Sequence, residues 1–173
     1  MEKVILVDEN DIAIGVEEKI KAHVAAKLHR AFSIFIFNSK KELMLQQRAK
    51  EKYHSGGLWT NTCCGHPGPG QDTLKAANGR LKEEMGLSCD LKEIFSLVYQ
   101  ARLDHGLTEY EYDHILIGKS EIEPILNLKE ARAWQWISLA ALAKDLKINQ
   151  AKYSFWLKIA WPRLQEHLVA GCL

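Results

Sequence analysis

Apolar positions along the chain change their period several times, and each change predicts an element. Short β-branched or aromatic runs read as strands at Lys3 to Val7 and, more strongly, at Ala31 to Phe37 and Glu42 to Arg48. Asp8 to Asp11 is a turn after the first, and Asn38-Ser39-Lys40-Lys41 joins the other two as a hairpin. Between Lys50 and Gly70 the periodicity disappears. Gly56, Gly57, Gly65, Gly68, Gly70, Pro67 and Pro69 predict an irregular loop there, too rich in unusual residues to be a mere connection. A helical period follows, with Leu74, Ala77, Leu81 and Met85 on one face, Asp72 as N-cap and Gly86 as left-handed C-cap. Strands return at Ile94 to Gln100, Glu109 to Gly118 and Trp134 to Ile137. Ser138 caps a short helix to Leu146, and Asn149 caps a last one that Pro162 limits or kinks near Trp161. Strands dominate the first two thirds and helices the last, which predicts one α+β domain over residues 1–173.

The 173 residues suffice for one core, and 47% apolar with 26% charged residues excludes a disordered, collagen-like or coiled-coil chain. Lys plus Arg (23) nearly cancels Asp plus Glu (22), so no overall basic field draws in nucleic acid, and a polyanion must be met by a local cluster. The N-terminus has neither the apolar core of a secretory signal nor a transit-peptide pattern, and no apolar stretch reaches the roughly 18 residues of a membrane span. A cytoplasmic protein with no membrane or nucleic-acid partner is expected. Cysteines at 63, 64, 89 and 172 form no CxxC, which predicts reduced thiols rather than a disulfide framework or zinc ribbon.

The densest chemistry lies in Trp59-Thr60-Asn61-Thr62-Cys63-Cys64-Gly65-His66-Pro67. A thiol two residues from an imidazole fits a nucleophile beside its base, a proton donor or acceptor, a metal site, or a buried structural cysteine, and spacing alone does not choose. Glu109, Glu111 and Asp113 share one face of their strand. Carboxylates so close repel unless a cation or shared proton holds them, so the strand is either a solvated edge or a metal face, and apolar Ile115 and Ile117 on that face favour the second. His23, His29 and His66 offer imidazoles to a borderline metal. On one helix His23 and His29 would point about 240° apart, so joint ligation requires an irregular connection between them. Lys19, Lys21, Arg48, Lys52 and Arg80 flank these segments and suit a diphosphate, although Arg80 also stands at i,i+4 to Glu84 as a surface ion pair would. Trp156 falls at helical spacing with Tyr153, Leu157 and Ala160, a core pattern.

Taken in order, LHRAFSIFIFN (28 to 38), LQQRA (45 to 49), WTNTCCGHP (59 to 67), RLKEEMG (80 to 86), EYEYD (109 to 113) and the late YSFWL resemble the type I isopentenyl-diphosphate isomerases over nearly the whole chain. The segment from Ala76 to Leu87 is similar to a degenerate Nudix helix, which implies a Nudix-like domain with a mixed sheet flanked by helices. By the resemblance, Cys64 is the catalytic thiol, with Cys63 as the neighbouring alternative. Glu111 is the catalytic carboxylate, assisted by Tyr99. His23, His29, His66, Glu109 and Glu111 are the implied ligands of manganese or zinc, and Asp113 is an acidic neighbour outside that set. Glu84 is the implied carboxylate for a second ion, magnesium, on the substrate diphosphate. Lys19, Arg48, Lys52 and Arg80 are implied to bind that diphosphate, and Trp156 to face a carbocation. A monomer or weak homo-oligomer acting on a small isoprenoid diphosphate is expected. No flavin is, because no dinucleotide-binding glycine pattern follows a strand. The alternatives are a Nudix-type diphosphate hydrolase or a metal-stabilised binding module. Gly79-Arg80 stands where a hydrolase has an Arg-Glu pair, and only Glu83 and Glu84 remain on that helix.

Overall fold

A computed structural model describes residues 2–171. The chain runs through β1 (Lys3–Val7), β2 (Ala13–Glu18), α1 (Lys19–Val24), β3 (His29–Phe37), β4 (Glu42–Arg48), β5 (Trp59–Thr60), β6 (Cys63–Gly65), α2 (Thr73–Met85), β7 (Lys92–Arg102), β8 (Thr108–Lys119), β9 (Ala131–Ser138), α3 (Leu139–Ile148) and α4 (Phe155–Val169). The nine strands among the described residues form one mixed sheet around β3. On one side β3 runs parallel to β8 from His29↔Glu111 to Phe37↔Lys119, and β7 continues antiparallel to β8. On the other side β3 meets β1 at His29, β6 at Phe32 to Ile34 and β4 at Phe37, while β4 pairs with β9 and β5.

β3 is apolar at almost every position because both its faces are covered. Phe32, Ile34 and Ile36 pack with Ala77, Leu81 and Met85 of α2, and Phe35 and Phe37 with Ile115, Ile117 and the α4 residues Leu157, Ala160, Trp161 and Leu164. Two predicted caps are present: Asp72 Oδ1 accepts from Lys75 N at 2.9 Å and Ser138 Oγ from Ala141 N at 3.2 Å. Gly86 closes α2 at φ 66°, where a Cβ would also meet the Ile125 carbonyl at 2.9 Å.

Several expectations are corrected. β2 and α1 were not anticipated, and the irregular loop contains β5 and β6. Leu74 is 39% exposed, whereas Glu84 joins Ala77, Leu81 and Met85 among the buried residues of α2. Asn149 precedes a 3-10 turn, whereas Ser154 precedes α4; Pro162 lies inside that helix and does not end it. Its ring is exposed, and Trp156, Leu157, Trp161 and Leu164 anchor the opposite face, so packing outweighs the lost hydrogen bond. Cys63, Cys64 and Cys89 are free thiols, and Cys172 lies outside the described residues. Among the described residues no helix is long and apolar enough to cross a membrane.

Candidate active site

The irregular connection that His23 and His29 require is present. α1 ends in a turn where Ala26 takes φ 49° and Lys27 N donates to the Ala22 carbonyl at 2.9 Å, which brings the two rings to 4.8 Å. His23 Nδ1 donates to the Lys19 carbonyl and His29 Nδ1 to the Lys27 carbonyl, each at 2.8 Å. A carbonyl only accepts, so both Nδ1 atoms carry hydrogen and each Nε2 points its lone pair inward. Both Nε2 atoms are buried without a partner. Such orphaned nitrogens, oriented from behind by a carbonyl, fit a divalent cation.

The carboxylate strand is no solvated edge, because β8 lies between β3 and β7. Glu109, Glu111 and Asp113 are 4%, 6% and 1% exposed. The Tyr99 hydroxyl, reaching from β7, lies 2.7 Å from Glu111 Oε2 and 3.1 Å from Glu109 Oε2. That leaves the Oε1 atoms to the imidazoles: Glu111 Oε1 is 2.9 Å from His66 Nε2 and 3.6 Å from His29 Nε2. Asp113 instead accepts from Ser33 Oγ at 2.8 Å and joins no cluster of possible ligands. The five expected ligands divide into two groups. One is His23, His29, His66 and Glu111; the other joins Glu109 to His23 and to His54, a residue the sequence reading missed. Nothing periodic marks His54, which comes from the loop before Ser55-Gly56-Gly57.

Strand alternation separates the two adjacent thiols. Cys63 is fully buried on the α2 side, whereas Cys64 packs on the other with Tyr99 and Trp156 and lines a cavity of about 50 Å³. His66, Glu84, Glu109, Glu111, Lys19, Arg48, Lys52 and Arg80 share that cavity. Trp156 is fixed by donating Nε1–H to Asn61 Oδ1 at 2.9 Å, while Asn61 Nδ2 donates to the Cys63 and Ile34 carbonyls. Asn61 thereby ties the tryptophan to the thiol strand, a role the linear sequence did not reveal.

The cations are unequal. Lys19 pairs with Glu2 at 3.1 Å and Lys52 with Glu130 at 2.6 Å, while Arg80 pairs with Glu84, Glu83 and Glu130. Glu84 also accepts from Gln46 Nε2 at 2.9 Å and belongs to neither ligand group. Arg48 is 6% exposed, lies over the Trp156 ring at 5.1 Å and keeps Nε without a partner. Lys21 lies outside the cavity, 66% exposed and bonded to Glu18.

Burial governs the protonation states. It pushes the Cys64 thiol up to about 12 against the opposing Arg48, so the sulfur keeps its proton near neutrality. It raises Glu109, helped by the charge of Glu111, and lowers His66 to about 4 and His54 to about 2. Glu111 is the exception. Burial would raise it, but the His66 imidazole, hydrogen-bonded to its Oε1 at 2.9 Å, holds it well below the usual carboxylate range. The cavity thus holds a protonated thiol and an ionised carboxylate.

Residues 27–157 match the NUDIX domain model. The chain is 50% identical, over 94% of its length and 92% of the relative's, to isopentenyl-diphosphate Delta-isomerase 1 of Aromatoleum aromaticum. It is 46% identical, over 95% and 92%, to an isopentenyl-diphosphate Delta-isomerase of Pectobacterium atrosepticum. Among solved structures it is similar to a Deinococcus radiodurans protein, with TM-score 0.79 and 17% identity over 94% of this chain and 98% of that one. A MutT protein of Methanosarcina mazei gives TM-score 0.67 and 16% identity over 81% and 94%; both likenesses are of fold alone.

Proposed function

The chain belongs to the isopentenyl-diphosphate isomerases, a family built on the Nudix domain, and from that premise we propose that it interconverts isopentenyl and dimethylallyl diphosphate. Moving the double bond adds a proton at one carbon and removes one from another. That needs a group that gives and a group that takes, both in reach of one bound alkene. The observation that carries the reading is the meeting of Cys64, which holds its proton, and Glu111, which does not, in one cavity. Tyr99 bonds the carboxylate from behind and positions it.

Protonation leaves a tertiary carbocation, which water would trap. Cys64, Glu111 and Trp156 line one cavity, so a five-carbon chain seated among them displaces the water that would attack the cation. Trp156 offers a π face that stabilises the cation without attacking it. The diphosphate is met by Arg48, whose charge has no carboxylate partner, and by Lys19, Lys52 and Arg80, which exchange carboxylates for phosphate oxygens.

His23, His29, His66, Glu109 and Glu111 would hold manganese or zinc, and Glu84, which lines the same cavity, would hold a magnesium ion shared with the diphosphate. When bound, the first ion supplies a fixed positive charge that orients Glu111 and tunes its acidity.

The alternative, diphosphate hydrolysis, is disfavoured by α2. It carries only Glu83 and Glu84, with Gly79-Arg80 where a hydrolase has an Arg-Glu pair, and hydrolysis leaves Cys64 without a task. Incubation with isopentenyl diphosphate and Mg²⁺ is expected to give dimethylallyl diphosphate and no free phosphate. Phosphate release without isomerisation would overturn the reading.

A further inference from the structure

The second donor group contains a residue with no role in the mechanism above. His54 is 4% exposed and lines the cavity, with Nδ1 3.2 Å from Ser55 Oγ and Nε2 facing Glu109. The separation of His54 Nε2 from Glu109 Oε1 is 3.6 Å, the same as that of His29 Nε2 from Glu111 Oε1. Tyr99 engages the Oε2 atom of both glutamates, so His54 stands to Glu109 as His29 stands to Glu111. At 3.6 Å neither pair is hydrogen-bonded. Donors about 2.1 Å from one ion lie roughly 3.0 to 3.4 Å apart at octahedral and tetrahedral angles, close to this spacing.

His23 decides how many ions the two groups can serve. Its Nδ1–H is committed to the Lys19 carbonyl, so only Nε2 can ligate, and both groups require that atom. One such nitrogen serves one ion. We propose that the two groups serve a single divalent cation and that His54 is one of its ligands, giving this centre four imidazoles and two carboxylates. The proposal rests on the metal reading above and adds a consequence to it. Six protein donors fill an octahedral shell and leave no position for substrate, so the ion would orient Glu111 rather than polarise the substrate directly.

The test is metal binding by the metal-free protein, titrated with Co²⁺ or Zn²⁺ and read without any assay of turnover. Wild type is expected to take one ion per chain, and its Co²⁺ form to show the weak visible absorption of six-coordination, unaltered by azide. In His54→Gln the affinity is expected to fall at least roughly 100-fold and the Co²⁺ spectrum to strengthen and respond to azide. An unchanged affinity and spectrum in the variant would overturn the proposal while leaving the metal reading intact. Two ions in wild type would also overturn it, and no ion in wild type would remove the metal reading with it. Imidazole ¹⁵N NMR of wild type with and without Zn²⁺ keeps the test alive if the variant does not fold. Four histidine side chains should shift, and three would refute His54 as a ligand.

Discussion

β3 and β8 run side by side and are buried along most of their length, yet their two ends hold opposite chemistry. At one end Phe35, Phe37, Ile115 and Ile117 pack under α4; at the other His29, Glu109 and Glu111 face one another at the same low exposure. Burial of the apolar end is itself the driving force, worth about 25 cal/mol per Å². At the polar end each donor forfeits its water, and the unpartnered Nε2 atoms of His23 and His29 are not repaid by the protein alone. One end therefore stabilises the fold, and the other is carried by it, with unpartnered donors that could hold a cation.

The largest effect expected from this division is on catalysis. Cys64→Ala should lower isomerisation by about 10³- to 10⁴-fold, the upper part of what one acid–base group contributes, with metal content and Tm unchanged. Near-normal turnover in that variant would remove the thiol from the mechanism. The mirror experiment is Ile115→Ala at the apolar end. Its side chain is fully buried, so unfolding stability should fall by about 2–5 kcal/mol while turnover per folded molecule stays within a few-fold. A variant at either end that shifted both quantities equally would break the separation.

The two ends also differ in how far the sequence announces them. β3 is legible because an apolar run covered on both faces admits few other readings, and α2 because Asp72 and Gly86 bracket a helical period. β2 escaped because Ala13 to Val16 is exposed and pairs only with β1, and α1 because six residues carry too little period. At the site, Glu109 and Glu111 follow from strand alternation, and Cys64 with His66 from a dense motif. His54 and Asn61 do not. Their places depend on a loop in which Ser55 takes φ 51° and Gly57 φ 79°, a path that leaves no spacing rule in the chain. The pairing of His23 with His29 likewise depends on Ala26 in the left-handed region, which alanine occupies only at a cost.

A smaller effect comes from pH. In the metal-free protein His66 is held near 4 against about 6.5 in the unfolded chain. Between those values the unfolded state binds a proton that the folded state does not. The His66 contribution is thus present above pH 6.5 and lost as pH falls toward 4, by roughly 3 kcal/mol. Glu109 runs the other way: its raised value favours the folded state at low pH, and that contribution is lost as pH rises. The measurable quantity is therefore the difference between wild type and His66→Asn in EDTA. Urea midpoints should fall more steeply for wild type between pH 6.5 and 4, and parallel profiles would show that His66 pays no such penalty.

The smallest effect tests where the polar end stops. Lys21 belongs with Lys19, Arg48, Lys52 and Arg80 in the sequence, but the fold turns it outward. Its ammonium bonds Glu18 at 2.9 Å and is 66% exposed, whereas the other four line the cavity. An exposed i,i+3 pair is worth little, so Lys21→Ala should leave both stability and KM for the diphosphate substrate essentially unchanged. Arg48→Ala is the contrast, since it deletes the buried cation without a carboxylate partner and should raise KM markedly. A comparable KM rise in Lys21→Ala would bring the outer face of α1 into the diphosphate's reach, and the boundary between site and solvated surface would have to move with it.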